Sequence, residues 1–149
     1  MNNRISFNAK NVSLPNLDYD YIADWLERVA ADHGRLLGPV SYLFVDDEEI
    51  LAVNRQFLQH DYYTDIITFD YCTCGMLRGD MVISLDTVAS NAEQFGADRR
   101  IELLRVIVHG LLHLCGIDDK APGAREIMEA NENRALAMAD VSLAWRAEA

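Results

Sequence analysis

Cysteine is scarce in this chain, and the three present, Cys72, Cys74 and Cys115, are an odd number. A small domain stapled by disulfides needs an even and larger set, so free thiols in a reducing compartment fit better. Long apolar runs are also missing, and no uncharged stretch reaches the roughly 18 residues that cross a bilayer. The opening MNNRISFNAKNVSLPN lacks the continuous apolar segment of an export signal, which points to the cytoplasm and away from a membrane partner. Basic residues are outnumbered, 13 against 24 acidic, and the net charge of -11 repels bare nucleic acid at long range. That excludes general coating of RNA or DNA; it leaves room for an RNA held by a local cluster such as Arg78, Arg99, Arg100 and Arg105. No repeat, low-complexity tract or linker interrupts the chain. Its 149 residues, half of them hydrophobic, suit one domain over residues 1–149 with one core.

Periodicity supplies the elements. Residues 3–7 alternate as an edge strand, and 19–34 have helical spacing that ends at Gly34. Residues 39–45 read as a strand, and the acids at 46–49 open a helix that continues through Phe57. Residues 64–71 and 81–85 read as neighbouring strands, the second following a turn at Arg78, Gly79 and Asp80, with residues 72–77 long enough for a hairpin. A helix capped by Ser84 or Asp86 stops at Gly96, the next begins near Asp98, and a last one follows Pro122. In that last helix Ile127, Met128, Leu136 and Val141 mark one packed side, with Glu126, Glu129 and Glu132 expected outside. The expected fold is α+β: a small mixed sheet of about four strands covered by helices, the histidine-bearing helix central.

That helix carries the chemistry. In VIVHGLLHLCGIDD, His109 and His113 stand four residues apart, so both imidazoles share one helical face and can converge on one cation. Glu102, Arg105, His109 and His113 form a single ionisable stripe down a helix apolar elsewhere, a costly arrangement unless the groups pair or bind a metal. A structural salt-bridge stripe is therefore the competing reading. Gly116 can reverse the chain in a left-handed cap, bringing Asp119, or else Asp118, back toward the histidines. Two imidazoles and one carboxylate leave zinc an open position, the mark of catalytic rather than structural zinc. Cys115, about 200° around the helix from His113, belongs to the core.

The string HGLLHLCGIDD resembles the HGxLHLxGxDH signature of the YbeY family, bacterial single-domain zinc endoribonucleases of ribosomal RNA maturation. YTDIITFDY is similar to that family's PTDVLSF segment, and RGDMVIS to its LGDIVIS strand, in the same order over roughly residues 40–140. The resemblance implies a single-strand-specific, metal-dependent endoribonuclease in the maturation of the 16S rRNA 3′ end and in ribosome quality control. It further implies one divalent ion, zinc first, on His109, His113 and the residue at 119, with ribosomal RNA as substrate and the ribosome or its proteins as partners. The chain departs from the pattern twice. Asp119 stands where the family has histidine, which makes the site more anionic and favours harder metals. Leu58 stands where N-x-x-Y-R would put an arginine able to clamp phosphate charge, and His60 or Arg55 is expected to take that role. Arg78, Arg105, Thr64 and Asp65 are candidates for substrate contacts, and Thr64 or Asp65 could instead orient a ligand.

Two rivals remain open at this level. Zincin proteases put glutamate directly after the first histidine, where this chain has Gly110. A ribosome-associated module with a structural metal and an acidic docking surface is the other.

Overall fold

The computed structural model describes residues 4–58, 64–118 and 120–146. The strands are β1 (Ile5–Ala9), β2 (Leu36–Val45), β3 (Ile66–Asp70) and β4 (Met76–Ser84); the helices are α1 (Tyr19–Asp32), α2 (Asp47–Val53), α3 (Leu85–Phe95), α4 (Arg99–Leu114), α5 (Ala124–Ala137) and α6 (Val141–Ala144). The sheet order is β1-β2-β4-β3, with β1, β2 and β4 parallel and β3 antiparallel to β4. This is the mixed four-stranded α+β fold the periodicity predicts.

Alternation along the strands divides the interior in two. Tyr42, Phe44, Met81 and Ile83 face the larger core with α1 and α4, whereas Val45, Ile67 and Val82 face a smaller cluster closed by Ile50 of α2. Eight aliphatic side chains of α4, from Leu103 to Leu114, are buried, as a helix lying between sheet and helices requires. Two buried polar tips tie the elements together. The Tyr42 hydroxyl donates to the carbonyl of Ile107 at 2.8 Å, and Trp25 Nε1 of α1 donates to the carbonyl of Ala135 of α5 at 2.9 Å. Cys115 is buried, as expected, and all three described cysteines are free thiols.

Several boundaries differ from expectation for identifiable reasons. Residues 78–80 form no turn: β4 runs straight through them, and the hairpin bends earlier, where Cys74 and Gly75 have φ of 51° and 78°. Gly79 is needed for another reason. A Cβ there would stand 2.6 Å from the carbonyl oxygen of Phe69 and 2.9 Å from Leu114. The helix after Asp46 is regular only to Val53 and widens into a π turn over Asn54–Leu58. The closing helical pattern splits into α5 and α6, so Val141 begins a separate turn capped by Asp140. Among the described residues no helix is long and apolar enough to cross a membrane.

Candidate metal and RNA site

The Asp98 carboxylate caps α4, accepting from the amides of Arg100 and Ile101, and Gly116 closes it. At that end the amide of Gly116 donates to the carbonyl of His113 at 2.9 Å and that of Ile117 to Leu112 at 3.1 Å, with Gly116 at φ 93°. This is the left-handed cap expected of Gly116, and it turns the chain immediately beyond the second histidine. Asp118 accepts from the amides of Lys120 and Ala121, a turn-stabilising role. Gly110 sets the helix against the sheet: a Cβ there would reach 2.7 Å from Met81 and 2.9 Å from Ile66, so the glutamate that zincins carry at this position has no room here.

The two imidazoles lie edge to face, with ring centroids 4.5 Å apart and planes at 86°. Nδ1 of His109 donates to Oε2 of Glu132 at 2.6 Å; the other carboxylate oxygen, Oε1, accepts from Nη1 of Arg105 at 3.0 Å. Arg105 Nη2 then donates to Asn133 Oδ1, also at 3.0 Å. A chain of charge-assisted bonds thus runs from α5 through Arg105 to His109, and a proton fixed on Nδ1 makes Nε2 the ring's donor atom toward a metal.

Glu132 corrects the sequence reading, which put it on the exposed side of its helix: the residue is only 8% exposed. The signal was available in the spacing. Ala124, Met128, Glu132 and Ala135 are the buried residues of α5, and Glu132 lies one turn beyond Met128 on the same face. Charge alone suggested solvent; its partners on α4 make burial tolerable. Burial works to raise the Glu132 carboxyl, but the hydrogen bonds and positive charge of His109 and Arg105 outweigh it and hold the group below its ordinary 4.5. Stability from this ion pair is therefore in place above the ordinary glutamate value and is lost as pH falls through the lowered one. Urea midpoints of wild type and Glu132→Gln, measured from about pH 7 down to about pH 3, are expected to differ most near neutrality and to converge in acid. A constant gap would contradict this.

Around these groups opens a cleft of about 640 Å³, lined by Asp65, Phe95, Glu102, Arg105, Val106, His109, Arg125, Met128, Glu129 and Glu132. Burial raises the Asp65 carboxyl, with the charge of His109 opposing the rise. Burial also raises Glu102, Arg105 pulling it down while Asp65 and Glu132 add to the rise.

The structure therefore brings Asp65, Arg105 and His109 into one cleft, with His113 one turn further along α4. Thr64 is half-buried and its hydroxyl turns to the carbonyl of Ile66 at 3.4 Å. Arg78 is exposed on β4 and outside the cleft lining; Arg99 and Arg100 line a separate groove where Arg100 stacks 5.4 Å from the Trp145 ring, so the four arginines do not form one cluster. Arg55 and Leu58 are exposed on the π turn and are not among the cleft's lining residues. His60 and Asp119 lie outside the described residues. Among the described residues no group of three His, Cys, Asp or Glu side chains is gathered as a complete ion site. The chemistry of the pair present nevertheless suits a metal: two imidazoles a turn apart, one oriented by a carboxylate through Nδ1. Phe95, Arg125, Glu129 and Glu132 are the aromatic and charged cleft residues that the sequence did not single out as functional.

Residues 4–140 match the family model described as Endoribonuclease YbeY. A protein named Endoribonuclease YbeY from Bacteroides thetaiotaomicron is 58% identical over 134 residues, covering 90% of this chain and 98% of that protein. Its namesake from Phocaeicola vulgatus is 57% identical over 134 residues, covering 90% and 97%. Among solved structures, a Thermotoga maritima protein determined in solution superposes with a TM-score of 0.63 at 23% identity, over 90% of this chain and 87% of that one. That last likeness is one of fold.

Proposed function

The chain belongs to the endoribonuclease YbeY family, and from that premise we propose that it is a metal-dependent endoribonuclease that cuts single-stranded RNA in ribosomal RNA processing, at the 16S rRNA 3′ end. The single observation that carries the site assignment is the imidazole pair of α4, with His109 Nδ1 held at 2.6 Å by Glu132. In this reading His109 and His113 hold one divalent ion, zinc first, and Asp119 beyond the Gly116 turn completes the set. The protein works in the cytoplasm, as one domain, on or near the ribosome.

When bound, such an ion supplies Lewis-acid polarisation of a phosphoryl oxygen and acidifies a water molecule for attack on phosphorus. The protein's own residues prepare that chemistry. Glu132 keeps the His109 proton on Nδ1 and fixes the ring's angle, and Arg105 holds Glu132 in turn, so neither group has to reorganise during the reaction. Asp65, whose carboxyl burial raises above its ordinary range, lines the same cleft and is placed to accept or return a proton there. Leu58 offers no charge to a phosphate, so in this reading His60 or Arg55, near it in sequence, supplies the cation that the family pattern gives to an arginine there.

The test is digestion of single-stranded RNA, double-stranded RNA and casein by wild type, before and after treatment with a chelator and after return of zinc. The single strand is expected to be cut, with cutting lost on chelation and restored by the ion. Intact RNA under every metal condition, or casein cleavage, would overturn the proposal; the first result would favour the docking module whose metal is structural.

A further inference from the structure

The cleft contains an aromatic side chain that packing does not explain. Phe95, the last residue of α3, is 73% exposed, more than any other large hydrophobic among the described residues, and it lines the same cleft as His109. An isolated exposed apolar side chain is ordinary. One that lines a cleft beside a hydrolytic site, in a protein whose charge repels its substrate, calls for a ligand that binds by its faces rather than by its charge.

The cations of the cleft divide in a way that strengthens this. Arg105 has its guanidinium committed to Glu132 and Asn133, which removes it as a mobile phosphate donor. Arg125, in the first turn of α5, is exposed and has no ion-pair partner among the described residues, yet it lines the cleft too. α3 and α5 both pack on α4, so Phe95 and Arg125 are carried by the two helices that flank the histidine helix.

We infer that Phe95 and Arg125 form a nucleotide subsite in which an unpaired RNA base stacks on the Phe95 ring and an adjacent phosphate pairs with Arg125. This rests on the ribonuclease reading above and deepens it. With a net charge of -11, and four carboxylates among the cleft's lining residues, phosphate contacts alone cannot supply the affinity; stacking can, and it tolerates any base. It also accounts for a preference for single strands, because a base inside a duplex has no face to offer.

The experiment measures binding of a short labelled 2′-O-methyl RNA strand by fluorescence anisotropy, alongside the same strand with abasic positions, across a salt series. Phe95→Ala is expected to weaken the base-bearing strand about tenfold and to leave the abasic strand unaffected, and Phe95→Trp is expected to restore binding. Arg125→Ala is expected to flatten the slope of log affinity against log salt by about 0.7, the share of one phosphate on a single strand. Equal losses for both strands in Phe95→Ala, no loss for either, or an unchanged salt slope in Arg125→Ala would overturn the subsite. If wild type binds and cuts RNA while the variants behave like it, the subsite alone fails; if wild type neither binds nor cuts RNA, the ribonuclease reading fails and takes the subsite with it.

Discussion

His109→Ala, and equally His113→Ala, is expected to lower cleavage of single-stranded RNA by about a thousandfold or more, while the purified variant remains folded. The magnitude follows from what an ion contributes: polarisation of the phosphoryl group is worth several kcal/mol of transition-state charge, and each 1.36 kcal/mol is about tenfold in rate. Removing either ring leaves one imidazole on α4, too few donors to retain a zinc ion at ordinary concentrations. Folding should survive for a specific reason. In His109→Ala the Glu132 carboxylate still accepts from Arg105 at 3.0 Å, so no buried charge is left unpaired, and His113 lies at the helix end where its carbonyl is already bound by Gly116. Circular dichroism would check the fold and single-turnover kinetics the rate. Cleavage within tenfold of wild type by a folded variant would show that the imidazoles do not act in the reaction.

Gly79→Ala is expected to destabilise the sheet strongly. The new Cβ would sit 2.6 Å from the Phe69 carbonyl oxygen and 2.9 and 3.2 Å from the two Leu114 methyls. A flexible side chain could give way; a carbonyl on a hydrogen-bonded neighbouring strand cannot, because β3 and β4 are paired in register from Ile66 with Ile83 to Asp70 with Gly79. Overpacking of a core costs about 1–3 kcal/mol in the general case, and a backbone clash belongs at or above the top of that range. Against a total stability of about 5–15 kcal/mol, that is enough to depress the urea midpoint severely or to send the chain into inclusion bodies. Leu114 also ends α4, so the displaced strand would push on the helix that carries both histidines. An unchanged midpoint would mean that β3 and α4 are not seated on Gly79.

The same residue shows where sequence reasoning stops. Arg78-Gly79-Asp80 looks like a turn because glycine between polar residues usually is one, yet here its missing side chain serves close approach inside a strand. Nothing local distinguishes the two uses. The histidine helix was legible because its signals are local and periodic: the four-residue spacing, the apolar surround, the Asp98 start and the Gly116 stop all lie within one element. Glu132 was missed although its spacing placed it on the buried face of α5, since an acid's burial depends on partners more than twenty residues away in sequence. The π turn at Asn54–Leu58 widens a helix whose hydrophobic pattern reads as regular, and so the position that replaces the family's arginine could not be placed beforehand. Phe95 and Arg125 acquire meaning only when three helices are brought around one cleft.

The most direct test of the central claim, that His109 and His113 together hold a divalent ion, is elemental analysis of the zinc-loaded, desalted protein, wild type beside His109→Ala and His113→Ala. The account predicts close to one ion per wild-type chain and almost none in either variant. A wild type that emerges without metal, or variants that keep their full complement, would contradict it.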